Sequence, residues 1–256
     1  MSNLPLFEND LHEPGVILAS ALHKPHARVP RAAVLCFFND LIAELAARGE
    51  LTPVYTLRSE IGSNEVYRLD LPEGSVSVIH PGVGAPLAAG FMEEAIALGV
   101  RSFVACGGGG ALTDLALGHI LVVSSAVRDE GTSFHYVPAS RIIEADPRGV
   151  RVLEETLAEA DVPYDVVRTW TTDAMMRETR SRVERRIAEG CVCVEMEASA
   201  FMAVGQFHQV RVAQFLYAGD SLAGETWDAR HWEKADGARE SLFWLAARAA
   251  LRLDAD

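Results

Sequence analysis

A chain of 256 residues, 49% of them hydrophobic, is long enough to bury one large core, and α/β folds of this size are routinely one domain. A net charge of -13 excludes a nucleic-acid groove, which needs clustered Lys and Arg, and leaves small molecules as the expected partners. No apolar stretch reaches the roughly 18 residues of a membrane span, and the N-terminus lacks a basic-then-apolar export pattern, so a soluble cytoplasmic protein is expected.

In chain order, a strand is predicted over 32–37, a helix over 40–48, strands over 54–57 and 76–80, and a helix over 87–98. Strands over 102–106 and 119–126, a helix over 150–159, a strand over 165–169 and a helix over 175–188 follow. The chain closes with a strand over 192–195, a helix over 198–207, a strand over 212–218 and a helix over 235–252. The alternation reads as α/β, with a central mixed or mostly parallel twisted sheet flanked by helices. With no linker, repeat or low-complexity tract, residues 1–256 read as one domain. Ligands in such sheets gather beyond the carboxyl ends of the strands, where Gly82, Gly107 to Gly110, Glu197 and Asp220 fall. The four consecutive glycines predict a turn, either a plain tight turn or one whose N–H groups cradle an anion. A dinucleotide fingerprint fails, because the spacing is not Gly-x-Gly-x-x-Gly and no helix follows. The four cysteines lie inside apolar runs, as reduced core thiols do, and Cys191 and Cys193 have no second pair at ligand spacing. Neither a metal nor a cofactor is expected.

The segment from Val192 to Ala200 (VCVEMEASA) sets two carboxylates one residue apart between an apolar run and a helical pattern. A carboxylate entering an apolar interior costs several kcal/mol unless it is paired or hydrogen-bonded. Glu197 beside Met196 therefore reads as a site for something polar. Adjacent sugar hydroxyls would suit it, since one ionised carboxylate accepts from both. The plain alternative is a glutamate complementing the helix dipole.

Four segments together resemble the nucleoside phosphorylase family, closest to its uridine phosphorylase branch. His80 to Pro86 with Glu93 to Gly99 is similar to the family's Gly-x-Gly-x-Pro loop and following helix. Val100 to Ala111 stands where the family has a strand and glycine-rich turn, Arg128 to Pro138 resembles a uridine-branch segment, and Glu195 to Glu197 matches the ribose motif. The resemblance implies an enzyme that cleaves the N-glycosidic bond of a ribonucleoside and releases the base, with Met196 and Glu197 on the ribose. It also implies a homo-oligomer, a dimer or a hexamer of dimers, with phosphate as second substrate.

The chain departs from that pattern where phosphate should bind. In register, the family's phosphate arginine falls on Ala105, the hydroxyl residue beside it on Gly108, and the glycine and arginine of the first phosphate loop on Phe37 and Leu41. Arg58 matches the loop arginine lent by a neighbouring subunit, and Gly82, Gly107, Gly108 and Gly109 remain as backbone donors to an anion. Arg31 and Arg128 are candidate replacement cations. Desolvating a dianion without fixed positive charge is expensive, which favours water as acceptor. Asp40 falls within a residue of the glutamate by which the family's nucleosidases activate water. It reads equally as a helix N-cap.

Asp220 stands 23 residues beyond Glu197, the spacing at which purine-cleaving members place the acid that protonates the leaving base. It pulls toward a purine, whereas Arg128 to Pro138 pulls toward the uridine branch. The segment Thr172 to Glu178 covers the base-reading region, so Met175, Arg177, Glu178 and Arg180 are base-binding candidates, although methionines at helical spacing are commonly core. Three readings remain: a phosphorylase, a nucleoside hydrolase using Asp40, and a nucleoside-binding protein without catalysis.

Overall fold

The computed structural model describes residues 4–8, 10–232 and 235–255. Its strands are β1 (Ala32–Cys36), β2 (Leu51–Ser59), β3 (Gly62–Leu71), β4 (Gly74–Ile79), β5 (Ser102–Ala111), β6 (Ile120–Asp129), β7 (Ile142–Glu144), β8 (Tyr164–Thr172), β9 (Cys191–Glu195) and β10 (Arg211–Ser221). Its α-helices are α1 (Ala19–Leu22), α2 (Asn39–Ala47), α3 (Ala85–Leu98), α4 (Pro147–Glu159), α5 (Arg180–Ala188), α6 (Ala198–His208) and α7 (Asp236–Ala255).

All ten strands join one mixed sheet. β10 pairs with both β5 and β6, and β9 pairs with both β8 and β5, so these five strands close into a ring. From β5 the sheet continues through β1, β4, β3 and β2 as an open wing, with β1 parallel to its two neighbours and β2–β3–β4 antiparallel. Alternation along β1 and β5 sorts the core into two faces. Val34, Cys36, Val104 and Cys106 pack with Leu242, Phe243 and Ala246 of α7, whereas Ala33, Leu35, Phe103 and Ala105 pack with Met92 of α3 and Phe201 of α6. All four cysteines are buried and free.

Several elements differ from expectation. β3 was not predicted because only Val66 and Leu69 of its ten residues are buried, so polar side chains mask the strand. The stretch expected as one helix over 175–188 is a 3₁₀ turn at Met175–Arg177 and then α5, separated where Glu178 takes a non-helical ψ of 71°. α4 starts earlier than its apolar period, because the Asp146 side chain accepts from Arg148 N–H at 3.0 Å and Pro147 fits the first turn.

The glycine run is not a turn. Gly107 to Gly110 continue β5 in register, Gly107 against Leu216, Gly108 against Tyr217, Gly109 against Ala218 and Gly110 against Val194 of β9. The glycines serve close approach instead. A Cβ on Gly107 would stand 2.9 Å from the Phe37 ring, one on Gly108 3.1 Å from the Tyr217 ring, and one on Gly110 2.8 Å from Leu222 and 3.0 Å from Val194. Bare backbone lets β5 meet β10 and β9 together and close the ring.

Candidate active site

The two acids of the Glu-Met-Glu segment divide the work. Glu195 ends β9 buried, and its Oε2 accepts from the N–H groups of Glu197 at 2.7 Å and Ala198 at 2.6 Å, while Oε1 accepts from Thr171 Oγ1 at 2.6 Å. It thereby satisfies the free donors that open α6. Glu197 occupies the N-cap position of α6 without a side-chain cap bond. Its Oε1 instead accepts from Gly84 N–H at 2.5 Å, across from the loop between β4 and α3. Burial, reinforced by the charge of Glu195, pushes the Glu197 carboxyl up to about 8. Met196 is half-buried between the two acids.

The loop that meets Glu197 turns on glycines. Gly82 (φ 78°) and Gly84 (φ 92°) are left-handed, and Pro86 lies in the first turn of α3. Gly82 thus shapes the loop, and the donor to Glu197 is Gly84.

Asp220 stands near the end of β10. Trp227 Nε1–H donates to its Oδ2 at 2.6 Å, and Arg230 donates to its carbonyl at 3.0 Å. Glu178 lies near enough that burial and the charge of Asp220 lift its carboxyl to about 7. Arg180 brings the two segments together by donating to the carbonyls of Leu222, at 2.9 Å, and Gly224. Met175 and Met176 are exposed rather than core, and Arg177 is exposed on the same 3₁₀ turn.

The positions that replace the expected phosphate arginine and glycine turn are apolar. Phe37 lies against Gly107, with its ring 6.1 Å from His80 and 6.3 Å from Phe201, in the same face of the core as fully buried Ala105. Tyr217 covers Gly108, and Leu41 is buried on the inner face of α2. The N–H groups of Gly107, Gly108 and Gly109 lie in strand β5 and form no nest. Arg128 is spent inside the fold: it donates to Ser133 Oγ, Pro138 O and Ser140 Oγ at 2.8, 2.8 and 2.9 Å and lies 4.0 Å over the Phe134 ring. Arg31 pairs with Asp254 at 3.6 Å, before the first residue of β1. Arg58 is exposed on the β2–β3 hairpin, donating to Ser63 Oγ at 3.4 Å.

Asp40 lies in the first turn of α2, whose N-cap is Phe38, so the cap reading is corrected. Both its carboxylate oxygens accept from Arg239, one at 2.7 Å, and this bidentate pair holds its pKa below the usual carboxylate range.

The Arg128 to Pro138 segment serves packing. Glu130 accepts from Ser133 N–H at 2.9 Å and Ser199 Oγ at 2.9 Å, tying this stretch to α6. Sequence reasoning missed Trp227, Arg239 and the cap role of Glu195. For Glu195, a carboxylate directly before a helix was the available signal; Trp227 reaches Asp220 across an irregular loop, seven residues along the chain, and Arg239 reaches Asp40 across 199 residues, neither of which a periodic pattern marks.

The Phosphorylase superfamily model matches residues 31–250. This chain belongs to that family. Guanosine phosphorylase of Halorubrum lacusprofundi is 26% identical over 222 residues, covering 85% of this chain and 82% of its relative. Uridine phosphorylase of Escherichia coli is 26% identical over 217 residues, covering 79% and 78%. The fold matches the purine nucleoside phosphorylase of Toxoplasma gondii in complex with immucillin-H, with a TM-score of 0.77 at 20% identity, covering 90% of this chain and 96% of that one. Uridine phosphorylase of Vibrio fischeri ES114 matches with a TM-score of 0.73 at 22% identity, covering 90% and 94%. The protein is therefore an enzyme of the nucleoside phosphorylase family, whose general chemistry is nucleoside glycosidic cleavage.

Proposed function

We propose that this enzyme removes the base from a purine ribonucleoside and uses water in preference to phosphate as the acceptor. One observation carries the acceptor reading: the Phe37 ring against Gly107, beside fully buried Ala105, fills with hydrocarbon the place where an anion would need fixed cations. A dianion there would lose its hydration without a charged partner.

The ribose end supports the cleavage reading. Glu197, ionised when the nucleoside enters, accepts from the 2' and 3' hydroxyls, with Met196 alongside and Gly84 fixing one oxygen. As the bond to the base breaks, the ribosyl carbon becomes oxocarbenium-like, a water oxygen forms the new bond to it, and the proton of that water passes to bulk solvent. The base leaves as a poor anion unless a ring nitrogen is protonated, and Asp220 is the donor in this reading. Glu178, whose carboxyl is lifted to about 7 by burial and the charge of Asp220, is about half protonated at neutral pH and can exchange a proton in that region. Arg177 and Met175 border the base on the exposed 3₁₀ turn, while Arg180 holds the two segments together. Arg128 donates to Ser133 and Pro138 inside the fold and is not assigned a contact with the base. Asp40, bound at both oxygens by Arg239, belongs to the fold rather than to water activation.

Phosphorolysis is the second reading, favoured by Arg58, which is exposed on a hairpin and free to reach an anion in a neighbouring copy. A homo-oligomer is supported by exposed Val16, Ile17 and Leu22. A cytoplasmic location is part of the proposal; among the described residues, no helix is long and apolar enough to cross a membrane. Product analysis on adenosine, inosine, guanosine and uridine, with and without phosphate, tests the whole reading. Free ribose from a purine nucleoside in phosphate-free buffer is expected. Strict phosphate dependence with ribose 1-phosphate as product overturns the water acceptor, and cleavage of uridine alone overturns the purine.

A further inference from the structure

The family resemblance assigns nothing to His80, yet the residue links the Phe37 ring to the Gly82–Gly84 loop that meets Glu197. Its Nδ1 accepts from Gly82 N–H at 3.1 Å, its carbonyl accepts from Asn64 Nδ2 at 2.9 Å, and its ring lies edge-on to Phe37. A nitrogen that accepts an N–H bond carries no proton, so the neutral tautomer has its hydrogen on Nε2. Burial lowers the His80 pKa and favours that neutral form, against a smaller opposing pull from the Phe37 carbonyl. The ring also lines a cavity of about 170 Å³ with Asn39, Ser63, Asn64 and Tyr67, and with Glu65, whose carboxylate accepts from Thr56 Oγ1 at 2.9 Å.

We propose that His80 is a positioning residue for ribose binding: its neutral imidazole, by accepting from Gly82 N–H, holds the left-handed Gly82–Gly84 turn so that Gly84 N–H meets Glu197. The bond spans two residues from side chain to backbone, the geometry in which Asp or Asn closes a local turn. Both glycines take left-handed φ values, and the imidazole bond to Gly82 sets where the Gly84 donor points. Glu197 receives that donor at 2.5 Å. The chain of contacts therefore runs from the Phe37 face, where phosphate was expected, to the acid assigned to the sugar. The inference rests on the assignment of Glu197 to ribose, and one arm of its test does not.

The test compares His80→Leu, which keeps bulk and loses the acceptor, with His80→Asn, whose amide oxygen can restore the bond to Gly82. His80→Leu should raise KM for ribonucleosides by about tenfold or more with a smaller change in kcat, and His80→Asn should recover most of it. In a Glu197→Ala background, His80→Leu should change kcat/KM by less than about twofold, because the acid it positions is gone. Equal losses in both backgrounds, or no rescue by Asn, overturn the proposal. The activity-independent arm is amide hydrogen exchange at Gly84 with ¹⁵N shifts of the imidazole. His80→Leu should speed exchange at Gly84 selectively, and wild-type Nδ1 should be unprotonated at pH 7. Unchanged exchange or a protonated Nδ1 refutes the positioning role whether or not the enzyme cleaves nucleosides, whereas selective exchange in an enzyme that cleaves none leaves it standing and removes only the ribose assignment.

Discussion

The expected sugar and acceptor positions are built from opposite materials. At the sugar end, Glu195, Glu197, Thr171 and the Gly84 amide form a buried polar network in which one acid serves the helix and the other faces outward from it. At the acceptor end, Phe37 and Ala105 pack on one face of a bare glycine strand and Tyr217 packs on the other. The fold is the same on both sides, so the difference lies in side chains alone. A sheet of this kind can keep the binding of one substrate while the pocket for the other is filled, because the two rest on different strand ends.

The sharpest way to break the comparison is to remove the acid at the sugar end. Glu197→Ala should lower kcat/KM for ribonucleosides by roughly 100-fold or more, the expected effect of deleting a charged bidentate contact. 2'-Deoxyribonucleosides should lose less. Glu195→Ala should instead act on folding, lowering stability by about 2 kcal/mol or more because buried donors at the start of α6 lose their acceptor. Urea unfolding and steady-state kinetics on both variants separate the roles, and a Glu197→Ala enzyme with unchanged kinetics would sink the ribose assignment.

The same pair of acids gives a pH prediction. The folded-state pKa of Glu197, about 8, lies above its ordinary value near 4.5, so its carboxyl contributes stability that is complete below about pH 4.5 and lost as pH rises toward 8. Glu197→Gln carries no charge to bury. The variant should match wild type near pH 4 and become progressively the more stable of the two as pH rises to 8. Ribose binding has the opposite sign, because the ionised carboxylate is the acceptor, and nucleoside affinity should rise between pH 6 and 8. Melting curves that run parallel across this range would mean that Glu197 is already ionised in the empty site.

At the acceptor end, the packing explanation for the glycines is tested by adding single methyl groups. Gly107→Ala and Gly110→Ala should each cost about 1–3 kcal/mol, since each new Cβ must displace a side chain. An anion nest predicts instead a loss of phosphate response with little change in melting temperature.

Much of the architecture was legible because β1, β4, β5 and β10 carry the apolar runs and α6 is buried along most of its length, signals that depend only on local pattern. The Glu195 to Glu197 segment was legible for the same reason: acids between apolar neighbours are conspicuous. The glycine run was misread because a glycine says that space is short without saying what fills it. Phe37 is 70 residues away from Gly107, and Tyr217 lies farther still from Gly108. Arg239 likewise reaches Asp40 from the last helix, a separation of 199 residues that no local pattern encodes.

That ion pair supports the smallest expected effect. A carboxylate that activates water must take a proton near neutral pH, and one bound at both oxygens by a guanidinium with a lowered pKa is poorly suited to do so. The Asp40 side chain is also 66% exposed, so the pair is screened and contributes at most about 1 kcal/mol. Asp40→Asn should therefore change kcat by less than about threefold in phosphate-free buffer and shift stability only slightly. A fall of about 100-fold, with substrate binding intact and phosphate unable to restore it, would return Asp40 to the role of base. It would also mean that Arg239 releases the carboxylate when substrate binds, placing the acceptor at the head of α2 rather than at the filled glycine strand.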